Sequence, residues 1–203
     1  MGSAFAVPCV DKQNDVTIVG THIENDLIEK IKSNDQIHPA LKTKLSNEIK
    51  FEKFKKLQTI LDQDLDIIVC GVSSIGIEWF VQQISKKYKK GIPIILLTKG
   101  LSIIDNKLTT LSDKIRTLLS KDGHSEINIS AIKGPCLAAG LANKMRTGTI
   151  IANKKVKEAQ LLKGIISTNY YSTEISEDIN GVELSGAIKN IYSMLIGASE
   201  GLS

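Results

Sequence analysis

The run I-P-I-I-L-L-T (residues 92–98) holds four consecutive branched apolar residues, Ile94, Ile95, Leu96 and Leu97. A strand with one wet face alternates apolar and polar residues. An unbroken run predicts a strand covered on both faces, as in a parallel sheet flanked by helices. D-V-T-I-V-G (residues 15–20), D-I-I-V-C-G-V (66–72) and I-N-I-S-A-I (127–132) read as further strands, and three of the four are nearly continuous apolar runs. Residues 77–88 and 108–119 carry apolar residues at helical spacing with Lys and Asp outside, so they predict crossover helices between the strands. Strands alternating with helices define an α/β class.

The rest of the chain is placed around that centre. The lysine-rich segment 37–63 predicts a short connection, a minor strand near residues 48–51 and a helix reaching Leu61. After Ile132, Gly134 and Pro135 force a turn, an Ala-rich helix follows, and strands are expected near residues 149–152 and 170–175. Everything from Asp178 onward reads as helix. The expected organisation is a Rossmann-type, doubly wound, mostly parallel α/β domain over residues 1–177, then residues 178–203 opening an all-α substrate-binding domain. That last stretch is too short to form a core of its own. At the other end, M-G-S-A-F-A-V (residues 1–7) is already helical in character, whereas a doubly wound domain opens with a strand and a glycine-rich turn. The expectation is that Gly2 closes a G-x-G-x-x-G turn whose strand and earlier glycines lie outside these residues.

Composition narrows the function classes. The chain has 203 residues, 42% hydrophobic and 24% charged, an ordinary globular balance for one domain or slightly more. Its net charge is +4, with lysines spread along the chain and no basic cluster interleaved with aromatics, which argues against a nucleic-acid surface. Three cysteines (Cys9, Cys70, Cys136) stand far apart without neighbouring histidine ligands, so neither a disulfide framework nor a metal site is expected. A reducing cytoplasm fits that usage. No apolar run approaches the roughly 18 residues of a membrane span.

One charge stands out. In V-E-L-S-G-A-I-K-N-I-Y-S-M-L-I-G (residues 182–197), Lys189 is the only charge between Leu184 and Ser199, in an apolar, small-residue helix where an unpartnered ammonium is costly to bury. Read by itself it is a snorkelling lysine.

Four ordered motifs change that reading: M-G-S-A at residues 1–4, T-K-G-L at 98–101, G-P-C-L-A at 134–138 and G-V-E-L-S-G-A-I-K-N at 181–190. Together they resemble the NAD(P)-dependent glycerol-3-phosphate dehydrogenases, over essentially the whole chain. The last motif is the most specific, matching the start of the family's helical substrate domain. The resemblance implies NAD or NADP as cofactor, and reversible hydride transfer to dihydroxyacetone phosphate that supplies glycerol 3-phosphate for phospholipid synthesis. It leaves homodimerisation open to the full-length form. Reducing a ketone builds negative charge on its oxygen, so a cation or proton donor stabilises the transition state; in reverse, the same group takes the hydroxyl proton.

By that resemblance Lys189 is the catalytic acid/base, helped if burial lowers its pKa, and Lys99 touches both cofactor and substrate. Met1 and Gly2 lie by the pyrophosphate, Gly71, Val72 and Ser73 line the dinucleotide cleft, and Ala138 meets the cofactor. Gly134, Cys136 and Asn190 face the substrate, the G-P turn offering amides ahead of a helix. Cys136 stands where Ser or Thr is common, and Gly140 where Glu is usual. The choice between NAD and NADP stays open: Glu24 or Asp26 suits a ribose hydroxyl, whereas Thr21 and His22 tolerate a phosphate. The alternatives are another Rossmann-plus-helical dehydrogenase, of the ketopantoate reductase or 6-phosphogluconate dehydrogenase type, and a fragment without catalysis.

Overall fold

The computed structural model describes residues 1–202. In chain order the main elements are α1 (Gly2–Asp11), β1 (Thr17–Val19), α2 (Asn25–Ser33), β2 (Ile37–His38), β3 (Thr43–Lys44), β4 (Lys50–Glu52), α3 (Leu57–Leu61) and β5 (Ile68–Cys70). They continue with α4 (Ile77–Ser85), β6 (Ile94–Leu96), β7 (Leu101–Ile104), β8 (Lys107–Thr110), α5 (Leu111–Lys121) and β9 (Ile129–Lys133). The chain closes with α6 (Ala138–Ala142), β10 (Thr147–Ala152), α7 (Val156–Ile166), β11 (Tyr171–Ser176) and α8 (Ile179–Leu202). Five strands form one sheet in the order β11-β10-β9-β6-β5. β5, β6 and β9 are parallel neighbours, as are β10 and β11; β9 and β10 are antiparallel. The fold is α/β with a mostly parallel sheet.

Connection length explains the direction changes. Parallel pairing needs a crossover long enough to return the chain, and α4, α5 and α7 supply it. Between β9 and β10 stands only the five-residue α6, and the strand comes back antiparallel. Both faces of β6 are covered. Ile94 and Leu96 face a cluster containing Phe80 and Ile84 of α4 and Ile115 and Leu119 of α5. Ile95 and Leu97 face the opposite cluster, with Phe5 and Val10 of α1 and Leu162 and Ile166 of α7. Because Leu96 is wholly buried in β6, between β5 and β9, Leu96→Ala is expected to cost about 3 kcal/mol, read as a lowered urea midpoint.

Three features depart from the sequence expectation. Residues 101–110 form a hairpin, and helix α5 begins only at Leu111. Its turn, Asp105-Asn106, has φ of 48° and 59°, the left-handed pair a tight hairpin needs, and Thr110 then caps α5 by accepting a hydrogen bond from the Asp113 amide. Coverage of the sheet is incomplete at its edge strand, where Val69 of β5 is 41% exposed. β1 pairs in parallel with β4 as a separate two-stranded sheet.

Candidate functional site

The carboxyl ends of β5, β6 and β9 meet at one edge of the sheet, where open α/β folds bind their ligands. Hydrogen bonds between side chains and backbone tie the three ends together. The Thr98 hydroxyl, just past β6, donates to the Val72 carbonyl after β5 at 2.6 Å. Lys133, the last residue of β9, reaches back and donates to the carbonyls of Leu96 (3.2 Å) and Thr98 (2.7 Å). Lys99 makes the reciprocal link, its Nζ donating to the Gly134 carbonyl at 3.2 Å. Gly100 turns the chain away at φ +130°, a conformation that explains the glycine of T-K-G.

Met1, Lys99, Gly134 and Cys136 line one small cavity together with Phe5, Ile132 and Tyr171. Gly2 begins α1 with open space where a Cβ would stand, and a Cβ on Gly71 would lie 3.3 Å from the Gly2 backbone. Close approach of these two glycines keeps the start of α1 against the end of β5. α1 has no capping side chain, so its first amides are available to an anion. Gly71 and Ser73 are exposed beside them and Val72 is half-buried. These features fit a dinucleotide.

Several expected residues sit differently from their sequence reading. Cys136 is buried, its thiol aimed at the Leu137 carbonyl at 3.8 Å, and burial pushes its pKa up. α6 has five residues, too few to act as the anion-binding helix expected after the G-P turn; Ala138 is its half-buried first residue. Lys189 and Asn190 are exposed on α8, whereas the apolar neighbours of Lys189 suggested burial. Those neighbours are themselves exposed, Ile191 at 54% and Met194 at 66%.

Burial shifts the proton affinity of two lysines at this edge, Lys99 and Lys133. Burial lowers the Lys99 pKa, the nearby Lys189 charge lowers it further, and Cys136 opposes. Lys133 is 3% exposed and its pKa falls to about 8, chiefly through burial, with Glu183 opposing. Glu183 of the G-V-E motif is wholly buried and accepts the Ser112 amide at the start of α5, 3.3 Å to each oxygen. The favourable pole of α5 explains a carboxylate there. A Cβ on Gly186 would meet the Lys133 side chain at 3.3 Å. Thus α8 rests on the lysine that grips the end of β6. Lys133 was invisible as a site residue because a lysine closing a strand normally reads as solvated. Its signal was a charge continuing the apolar run A-I-K directly before G-P.

Fold and site define a Rossmann-type α/β domain, followed by a helix that brings a second lysine toward the carboxyl edge of the sheet. A family model described as the N-terminus of NAD-dependent glycerol-3-phosphate dehydrogenase matches residues 1–159. The NADP(+)-dependent glycerol-3-phosphate dehydrogenase of Archaeoglobus fulgidus is 33% identical over 97% of this chain and 56% of its own length. A glycerol-3-phosphate dehydrogenase [NAD(P)+] of Leptospira biflexa is 28% identical over 99% of the chain and 58% of its own length. The chain therefore belongs to the NAD-dependent glycerol-3-phosphate dehydrogenase family, and it spans little more than half the length of these relatives. The fold agrees with the glycerol-3-phosphate dehydrogenase structure from Coxiella burnetii, with a TM-score of 0.80 at 21% identity over 99% of this chain and 58% of that one. The yeast enzyme's structure gives 0.81 at 20% identity, over 99% of this chain and 60% of that one.

Proposed function

We propose that this chain supplies the dinucleotide-binding domain, residues 1–177, and the two working lysines of a glycerol-3-phosphate dehydrogenase, with residues 178–203 opening its substrate domain. The observation that carries the reading is the pairing of Lys99, anchored on the Gly134 carbonyl at the nucleotide edge, with Lys189 close enough to lower its proton affinity. A bound reduced nicotinamide supplies the hydride for C2 of dihydroxyacetone phosphate. Lys189 donates a proton to the ketone oxygen as negative charge builds there, and in the reverse direction takes it from the hydroxyl. Lys99 holds the substrate and keeps positive charge beside the reacting carbon. Gly134, Asn190 and the backbone about Cys136 border the substrate; Met1, Gly2, Gly71, Val72, Ser73 and Ala138 border the cofactor, NAD or NADP.

No helix among the described residues is long and apolar enough to cross a membrane. We place the protein in the cytoplasm, acting on a phosphorylated small molecule, without nucleic acid, and as a homodimer in its full-length form. Following NAD(P)H absorbance across a substrate panel tests the reading. Oxidation with dihydroxyacetone phosphate is expected; oxidation with 2-oxo acids alone would move the chain to the ketopantoate reductase type.

A further inference from the structure

We propose that Glu24 makes this chain select NAD(H), whose adenosine ribose carries a free 2′-hydroxyl, over NADP(H), whose ribose carries a 2′-phosphate. The inference rests on the dinucleotide-binding reading above and names which dinucleotide the site takes. In doubly wound domains an acid beyond the end of the second strand accepts the ribose hydroxyl, whereas a cation there accommodates the phosphate. The strand that follows α1 is β1, and four groups compete for the position beyond it: Thr21, His22, Glu24 and Asp26.

The geometry separates them. A Cβ on Gly20 would lie 2.7 Å from Ile28 Cγ1, so the glycine lets α2 fold tightly over the strand end. In the turn that results, Glu24 Oε2 accepts hydrogen bonds from the Thr21 amide at 2.9 Å and from the Thr21 hydroxyl at 2.7 Å. The two bonds fix the carboxylate while loading a single oxygen. Oε1 takes neither bond and stays available to a hydroxyl donor. Glu24 lies within electrostatic range of Met1, at the start of α1.

The two phosphate-tolerant candidates are engaged elsewhere. Thr21 directs its hydroxyl to Glu24. His22 packs in a ring cluster, 6.0 Å from Phe54 and 5.3 Å from Trp79. Asp26 is exposed in the first turn of α2 and makes no bond to Thr21. Among the described residues no Lys or Arg forms an ion pair with Glu24. A 2′-phosphate would therefore face a fixed carboxylate of its own sign without a cation between them.

The test is direct binding of NADH and NADPH to the purified chain, by calorimetry and by quenching of Trp79, its single tryptophan. NADH is expected to bind at least about tenfold more tightly, an order-of-magnitude figure for one uncompensated charge pair. Glu24→Gln keeps an oxygen acceptor for Thr21 but removes the charge, and should bring the ratio close to one; Asp26→Asn should leave it at the wild-type value. Competition between 5′-AMP and 2′,5′-ADP on the wild-type chain reads the same preference without a variant. NADPH binding equally or more tightly, or a ratio untouched by Glu24→Gln, overturns the proposal while leaving the dinucleotide site standing. Binding of neither dinucleotide overturns both.

Discussion

Replacing Glu183 by Gln is expected to destabilise the chain by about 3 kcal/mol at neutral pH, the scale of breaking a buried charge arrangement. Glu183 and Lys133 are among the few buried charges, and each is met by backbone: the Ser112 amide for the carboxylate, the Leu96 and Thr98 carbonyls for the ammonium. Glu183 also supports the Lys133 charge, which burial otherwise disfavours. Without it, the ammonium stands in a low-dielectric space with carbonyl dipoles alone.

The pH dependence has a defined sign. Lys133 drops from an ordinary 10.5 to about 8 on folding, so between those values the unfolded chain holds a proton that the folded chain has released. Stability from this group therefore rises with pH across that window, by about 3 kcal/mol in all. Removing Glu183 lowers the folded pKa further, so the window opens at lower pH and the loss shrinks as Lys133 becomes neutral. Urea melts at pH 7 and pH 9.5 read both effects. Equal losses at the two pH values would show that Glu183 does not act through Lys133.

Lys189→Met is expected to reduce turnover about 10³-fold with little change in KM, as for loss of a general acid that acts in the transition state. The same variant carries a second readout that needs no turnover. Lys189 holds the Lys99 pKa down, so removing its charge should move Lys99 proton release to higher pH. The pH dependence of Lys99 acylation, followed by mass spectrometry, reports that shift. An unmoved Lys99 profile would separate the two lysines and remove the paired-site reading.

Most of the sheet was legible because its central strands are apolar on both faces and its connections helical. The hairpin before α5 was not: the I-I-D-N-K-L run of residues 103–108 is too short for periodicity to separate a strand pair from the start of a helix, and the two left-handed residues decide it. Lys99 was legible as a turn residue at the carboxyl edge. Its link to Gly134 was not, since it joins residues 35 apart. Lys189 was noticed for a reason the structure does not support. Apolar neighbours implied burial, yet α8 leaves them and the lysine exposed, and the buried lysine is Lys133, on which α8 rests. Which side of a helix meets the sheet is a tertiary fact that the apolar character of α8, present on nearly every side, could not signal.

The central claim is that hydride reaches C2 of dihydroxyacetone phosphate at the Lys99–Lys189 edge. Incubating the protein with dihydroxyacetone phosphate and reduced nicotinamide dinucleotide deuterated at the transferring carbon tests it, with mass analysis of the product. One deuterium at C2 of glycerol 3-phosphate, lost in Lys189→Met, is the predicted result. Unlabelled glycerol 3-phosphate, or label transferred equally well by Lys189→Met, would contradict it.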